Sequence, residues 1–470
     1  MKWFALFLVF AASAQERHIV AAYTRQGNRF VFQLSAGAAD FEWASPSTFR
    51  FRRTFGPQLP PPSAGNAEAV EVTVDDSATE ISFTTTYLKA TVRKDDLRVE
   101  VRKSADNGLL MRDVTAATRR DGLISWERLA EPGVHFYGLG AKTGETLNLR
   151  GGRFEDVIPF LLSTAGYGEQ HMARGRYDFD LARLRKASYR IDLQNSDLID
   201  YYFYFGPTPK EIFEERVKAT GSKFAAQANP VRFQWLLEQS LSGVMLPAET
   251  MSQPIPVDLR KRLDAYLGAY VVEVHYRGCP ILHPLPVQFP RDPESDKHPD
   301  ESMVGDELLL AVGRNVYLPQ GIWTNLKSNI ETRGRQTIQS TDSPSVFARN
   351  GSIVPLAGSG TLELHYFPKL GAEFFLYEEE AGDYTQVHAA PAADTVRLEI
   401  ESKVARDYTW VIHHVEGVKR VSTAEGVTLH PVEAAAELKQ KSWYYDAQHR
   451  NLHVRDQVSA GQDHIVKLSF

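Results

Sequence analysis

Along most of the chain apolar and polar residues alternate with a period of two. Arg29-Phe30-Val31-Phe32-Gln33-Leu34, Val70-Glu71-Val72-Thr73-Val74 and Leu97-Arg98-Val99-Glu100-Val101 each carry one apolar and one polar face, as half-buried strands do. Asn107-Gly108 follows the third run, a dipeptide suited to the positive φ of a tight hairpin turn. Short strands separated by turn residues predict a β-sandwich over residues 21–207. Pro60-Pro61-Pro62 marks a surface loop, because consecutive prolines exclude both helix and central strand. No internal repeat of fixed period and no low-complexity tract is visible.

The period changes to that of a helix twice. Thr208-Pro209-Lys210-Glu211 has the form of a helix start, with a capping threonine, proline in the first turn and glutamate three residues after the cap. Ile212, Phe213 and Val217 then fall on one face, and Gly221 ends the helix. A second helix is predicted over residues 257–276, where Leu263, Leu267, Tyr270, Val271 and Val274 recur at helical spacing before Gly278 and Pro280. Beyond Ile281 the alternation returns, in Leu308 to Val312, Asn315 to Leu318, Val346 to Arg349 and Glu373 to Tyr377. The stretch from Thr395 to Phe470 alternates again. The expected fold class is therefore mainly β, with a sandwich, a short helical passage and two small C-terminal all-β modules divided near residue 390.

Composition adds exclusions. The chain has 470 residues and a net charge of −6, enough for about three domains and no sign of a nucleic-acid partner. The basic stretch from Arg183 to Arg190 is broken by apolar residues and reads as a solvated strand face. Residues 1–14 have the form of a secretory signal peptide, with Lys2, an apolar run from Trp3 to Ala12 and a small-x-small site at Ala12-Ser13-Ala14. That run is shorter than the ~20 residues that span a bilayer, so the expectation is a secreted or periplasmic protein without a transmembrane segment. A single cysteine, Cys279, rules out an internal disulfide and reads as a buried small residue.

Several ordered motifs carry a resemblance to glycoside hydrolase family 31, the α-glucosidase and α-xylosidase family. They are His135-Phe136-Tyr137-Gly138-Leu139-Gly140, Ile158-Pro159-Phe160-Leu161-Leu162-Ser163, Gly166-Tyr167-Gly168 and the run from Tyr201 to Ile212. The resemblance resumes at Arg262-Leu263-Asp264-Ala265-Tyr266-Leu267. It is clearest in Phe289-Pro290-Arg291-Asp292-Pro293-Glu294, Gly305-Asp306-Glu307-Leu308, Val316-Tyr317-Leu318-Pro319-Gln320-Gly321-Ile322-Trp323 and Arg349-Asn350-Gly351-Ser352-Ile353-Val354-Pro355. It implies an N-terminal β-sandwich domain at 15–221, a remnant of the catalytic barrel at 222–278, and proximal and distal C-terminal β domains at 279–389 and 390–470. A complete (β/α)₈ barrel takes roughly 250 residues, far more than the connection between the two halves provides.

The family implies a retaining mechanism, in which one aspartate attacks the anomeric carbon and another protonates the leaving oxygen from ~5–5.5 Å away. Its nucleophile stands in a Trp-x-Asp-Met-Asn-Glu motif, and none of the seven tryptophans here has aspartate two residues on. Gly305-Asp306 and Gly382-Asp383 match other family motifs in the C-terminal modules and are not expected to be catalysts. The stretch from Pro230 to Met245 resembles the family's last helix-to-strand passage, but Leu246-Pro247 follows where the family places a sugar-site histidine. The loop that reaches the barrel mouth in the family is also cut back, Asn148 to Phe154 running almost directly into Glu155. Two losses serving one missing site, with the reading frame open, favour an orderly reduction over a damaged gene. No catalytic residue is therefore expected, and no activity of this chain alone.

Candidate chemistry is sparse. Sugar rings present apolar C–H faces to aromatic side chains flanked by acids, which makes Phe154, Glu155, Asp156, Tyr167 and Trp323 candidate substrate-binding residues; for Tyr167 and Trp323 core packing is the favoured reading. Glu378-Glu379-Glu380 reads as a charged hairpin turn. His275, His283 and His298 have no metal-ligand spacing, and no cofactor or metal is expected. The expected partners are a carbohydrate, an α-glucan or related glycan, and a further copy or a paralogous glycosidase. Three readings follow: a non-catalytic carbohydrate-binding or scaffolding protein, an α-glycosidase whose barrel another chain supplies, and a structural partner of an active paralogue. An apolar surface left by the missing barrel would be covered by self-association or by residues 222–255.

Overall fold

The computed structural model describes residues 19–61, 69–141, 144–221, 261–279, 281–378 and 381–470. The predicted signal peptide, the segment at 222–255 and the barrel-like passage at 230–245 lie outside the described residues. The chain is mainly β and divides into two compact units.

The first unit comprises the chain up to Gly133 with Gly151–Pro159 and Glu169–Phe205. Strands Val20–Gln26, Arg29–Leu34, Ala38–Ser45, Thr48–Thr54 and Leu198–Phe205 lie side by side, all antiparallel. A five-stranded meander, Thr73–Asp76 to Leu109–Arg112, packs on them through aromatic rings: Phe41 stacks on Phe49 at 4.4 Å and on Phe83 at 5.1 Å. The sequence signals translate closely. Phe30 and Phe32 of the first predicted strand are buried, and Asn107 takes φ 57 in the hairpin turn. The run at Val70 is displaced: the strand starts at Thr73, although Val70 and Val72 are buried before it.

A third sheet of this unit orders Thr118–Arg120, Leu123–Leu129, Ser188–Gln194, Arg176–Asp180 and Arg153–Phe154. Its interior holds the fully buried Arg128, paired with Glu169 and with Asp113 at 3.0 Å, its guanidinium 4.3 Å above the ring of Tyr201. Buried charges persist only where such partners offset their desolvation.

The second unit comprises Val134–Arg150, Phe160–Gly168 and Gly206–Phe470. Helix α1 (Pro209–Thr220) starts as predicted: the Thr208 amide and hydroxyl both donate to Glu211 Oε2, at 2.7 and 2.8 Å, and Ile212, Phe213 and Val217 are buried. Helix α2 (Asp264–Arg277) ends at Gly278, φ 65; the predicted start near Val257 lies outside the described residues. Cys279 follows and is half-buried, not buried as expected, because it opens onto a small cavity of about 240 Å³ beside α1.

Three larger sheets complete the unit. One orders Leu282–Pro284, Glu301–Val304, Leu308–Ala311, Ser345–Arg349, Ile322–Asn325 and Glu331–Arg333. The second orders Ser352–Ala357, Leu362–Phe367, Arg406–Ile412, Asn451–Val458, Ser442–Asp446 and His430–Val432. The third orders Ala372–Glu378, Asp383–Pro391, Thr395–Glu401, Asp463–Ser469 and Arg420–Thr423. One apolar core runs from Leu263 and Leu267 through Leu308 and Tyr366 to Trp410 and Val466, so α2 and all three sheets share it. Glu378 corrects the picture of a charged turn: it is buried and accepts from Arg406 at 2.9 Å and Thr385 at 2.9 Å. Glu379 and Glu380 lie outside the described residues.

Candidate functional site

The predicted sugar-contacting residues do not form one site. Phe154 is half-buried, opposite Phe179 in the sheet of the first unit. Glu155 is exposed and lies 3.3 Å from both Arg153 and Arg176. Asp156 is held at φ 53 in the turn, its amide donating to Asp178 Oδ1 at 3.0 Å. Two of these candidates are core residues, the reading favoured for both. Tyr167 is 2% exposed and Trp323 0%, with Trp323 Nε1 donating to the Pro319 carbonyl at 2.8 Å. A ring enclosed in a core has no face to offer a sugar, so both are packing residues.

The acidic motifs are structural as well. Gly305 has φ 62, and a Cβ there would lie 2.2 Å from the Tyr266 hydroxyl. Asp306 is exposed and pairs with Lys210 at 2.5 Å. Glu307 accepts from Tyr266 at 2.7 Å and Tyr270 at 2.5 Å; burial, partly offset by these phenols, raises its carboxyl to about 7. Among the described residues no cluster of three or more His, Cys, Asp or Glu is arranged to hold a metal ion.

The strongest site geometry is a cavity of about 680 Å³ in the second unit. Its floor is one face of the second sheet. His365 pairs in register with Val411, and Val411 pairs with His453, so these three stand abreast on neighbouring strands. Their sequence neighbours Leu364, Ile412 and Leu452 point the other way into the core, as period two requires. Glu363 lies on the same outer face, two residues before His365. The walls come from the segments around Asn325–Asn329 and Asp342–Val346, with Arg262 at the start of α2.

A chain of short contacts crosses this floor. Arg262 donates to Glu363 Oε2 at 3.3 Å, and His365 Nε2 lies 3.0 Å from the same oxygen. His365 Nδ1 faces His413 Nε2 at 2.9 Å, and His413 Nδ1 faces Asn329 Oδ1 at 2.7 Å. Asn329 Nδ2 donates to the His449 carbonyl at 2.8 Å and to Asn451 Oδ1 at 3.1 Å. Burial holds His365, His413 and His453 below the ordinary imidazole range. Burial also pulls Glu363 upward, but the facing imidazole outweighs it and leaves the carboxyl below its usual value.

These residues were missed in the sequence, although a signal was present. Glu363-Leu364-His365 and Asn451-Leu452-His453 are polar positions alternating with core positions, the pattern of a strand with one polar face.

Two family profiles match the chain: the glycosyl hydrolase 31 N-terminal galactose mutarotase-like domain over residues 34–157, and the glycosyl hydrolase family 31 C-terminal domain over residues 278–354. This is a glycoside hydrolase family 31 protein, and its described residues hold no catalytic barrel. Between the two matches the described residues of this family 31 chain hold antiparallel strands, α1 and α2, against roughly 250 residues for a (β/α)₈ barrel. The α-glucosidase of Saccharolobus solfataricus is 33% identical over 108 residues, 22% of this chain and 16% of that protein. Human neutral alpha-glucosidase AB is 37% identical over 95 residues, 18% of this chain and 10% of that protein. The chain thus aligns with only a small part of these relatives' length. Among solved structures, the family 31 dextranase of Flavobacterium johnsoniae complexed with glucose matches with a TM-score of 0.79 at 14% identity, covering 97% of this chain and 100% of that one. The cycloalternan-forming enzyme of Listeria monocytogenes matches at 0.77 and 13% identity, covering 96% and 77%. At these identities the likeness is one of fold. No described helix is long and apolar enough to cross a membrane.

Proposed function

We propose that this family 31 protein is an exported, non-catalytic glycan-binding or scaffolding relative of the α-glycosidases. One observation carries the reading: the family's N-terminal and C-terminal domains are present without the barrel whose strands hold the paired carboxylates. Hydrolysis with retention needs two acids ~5–5.5 Å apart across one glycosidic bond. The acids that match family motifs do other work here, Asp306 pairing with Lys210 and Asp383 with Lys403. Export rests on the leader-like pattern of residues 1–14.

The purified protein, incubated with aryl α-glucoside and aryl α-xyloside, is expected to release no aglycone above a heat-inactivated control. Calorimetric titration with maltooligosaccharides is expected to show saturable binding. Turnover that disappears on substituting one of this chain's own acids would overturn the non-catalytic reading. Turnover appearing only when a paralogous glycosidase is added would support the partner reading instead.

A further inference from the structure

The cavity on the second sheet of the second unit keeps polar groups that the protein's own hydrogen bonds leave open. The His453 side chain, half-buried in its lining, makes no hydrogen bond among the described residues. The Asn451 side-chain nitrogen is likewise open, its oxygen being taken by Asn329 Nδ2 at 3.1 Å. The formal charges in the lining are matched internally: Arg262 lies 3.3 Å from Glu363, and Lys327 pairs with Asp342. Leu326, Val346, Leu356 and Val411 give the remaining wall an aliphatic character.

This combination selects a class of ligand. An anion would have to break an existing ion pair to find a cation, and a metal ion would find no ligand cluster among the described residues. A hydroxyl group both donates and accepts, as a neutral imidazole does through its two nitrogens. A few convergent polar groups beside an apolar wall, in a cavity of this volume, are what small-molecule sites generally offer. We propose that the cavity binds an uncharged polyhydroxylated ring, a monosaccharide or the end of a glycan chain. His453 and Asn451 hydrogen-bond its hydroxyls, and the aliphatic wall takes its C–H face. The class of ligand rests on the glycan-binding reading above; the location of the site rests on the cavity itself.

The test titrates the full chain with glucose, maltotriose and inorganic phosphate, by calorimetry and by NMR of the imidazole nitrogens. Saturable binding of a sugar, moving the His453 resonances in step with occupancy, is the expected result. His453→Leu and Asn451→Leu should each weaken it by about tenfold, the loss of one net hydrogen bond. His453→Gln, which keeps a donor and an acceptor, should lose less. Sugar binding unchanged in both leucine variants would place the glycan site elsewhere and overturn the inference while leaving the broader reading intact. Binding of phosphate in preference to sugar, or no sugar binding by the unaltered chain, overturns the ligand class; the second result removes the glycan-binding reading with it. If His453→Leu does not fold, the wild-type resonances decide: rings that stay still while sugar binds overturn the site.

Discussion

At the scale of single residues, the contacts across the cavity floor fix where one proton must sit. The His449 carbonyl can only accept, so it orients the Asn329 amide and leaves Asn329 Oδ1 facing His413 Nδ1 at 2.7 Å. His413 must then donate from Nδ1 and accept at Nε2, which requires a hydrogen on His365 Nδ1, 2.9 Å away. A neutral His365 has no second hydrogen for the Glu363 oxygen 3.0 Å from its Nε2. The relay as folded therefore binds one proton between Glu363 and His365, and burial around the imidazole opposes keeping it. Glu363→Gln places an amide N–H opposite His365 Nε2 and supplies that hydrogen without solvent; Arg262, half exposed, can turn aside. In the wild type the imidazole ¹⁵N shifts of His365 and His413 are expected to change together as pH rises. In the glutamine variant they should stay constant. A relay that is insensitive to pH in the wild type would end this account.

At the scale of elements, what was legible in the sequence follows from how local each signal is. Helix α1 could be read to the residue, because Thr208, Pro209 and Glu211 act on one another within its first turn and Gly221 stops it at the adjoining residue. The missing barrel was legible too, since it is a matter of chain length between two recognisable ends. For Trp323 and Tyr167 the sequence left a core and a sugar-facing reading side by side, because burial is decided by which sheet covers a ring and nothing adjacent in sequence reports that. The cavity escaped for a related reason: its floor joins His365, Val411 and His453 from three strands. Contact between α1 and the end of α2 is also nonlocal, and it can be tested. Gly278 combines φ +65 with an approach in which a Cβ would lie 2.2 Å from Val217 Cγ2. Gly278→Ala is expected to destabilise the second unit by on the order of 1–3 kcal/mol, from backbone strain and overpacking together. Adding Val217→Ala removes the clashing methyl, so in urea unfolding the double variant should recover part of that loss beyond additivity. A single variant as stable as the wild type would show that the two helices do not pack this closely.

At the scale of the whole molecule, buried titratable groups limit stability from both sides of neutrality. Burial raises Glu301 to about 8 and Glu307 to about 7 in the second unit. Their folded values lie above the unfolded carboxylate value near 4.5, so their contribution is full below that pH and is lost as pH rises through 7 and 8. His413 in the second unit and His171 in the first are held well below 6.5, chiefly by burial. Their contribution is full above 6.5 and is lost as pH falls, because the unfolded chain takes up protons that the buried rings refuse. The melting temperature should therefore pass through a maximum on the mildly acidic side of neutrality. Glu301 is the cleanest handle on the alkaline limb: it is 2% exposed, Oε1 accepts from the Tyr317 amide at 2.7 Å, and Oε2 has no hydrogen-bond partner among the described residues. Glu301→Gln keeps that acceptor and removes the ionisation. The variant should gain on the order of 1–3 kcal/mol over wild type near pH 9 and little near pH 5. Differential scanning calorimetry at the two pH values measures that difference directly. Parallel pH profiles for variant and wild type would mean that Glu301 reaches water in the folded chain, and the alkaline limit would have to arise elsewhere.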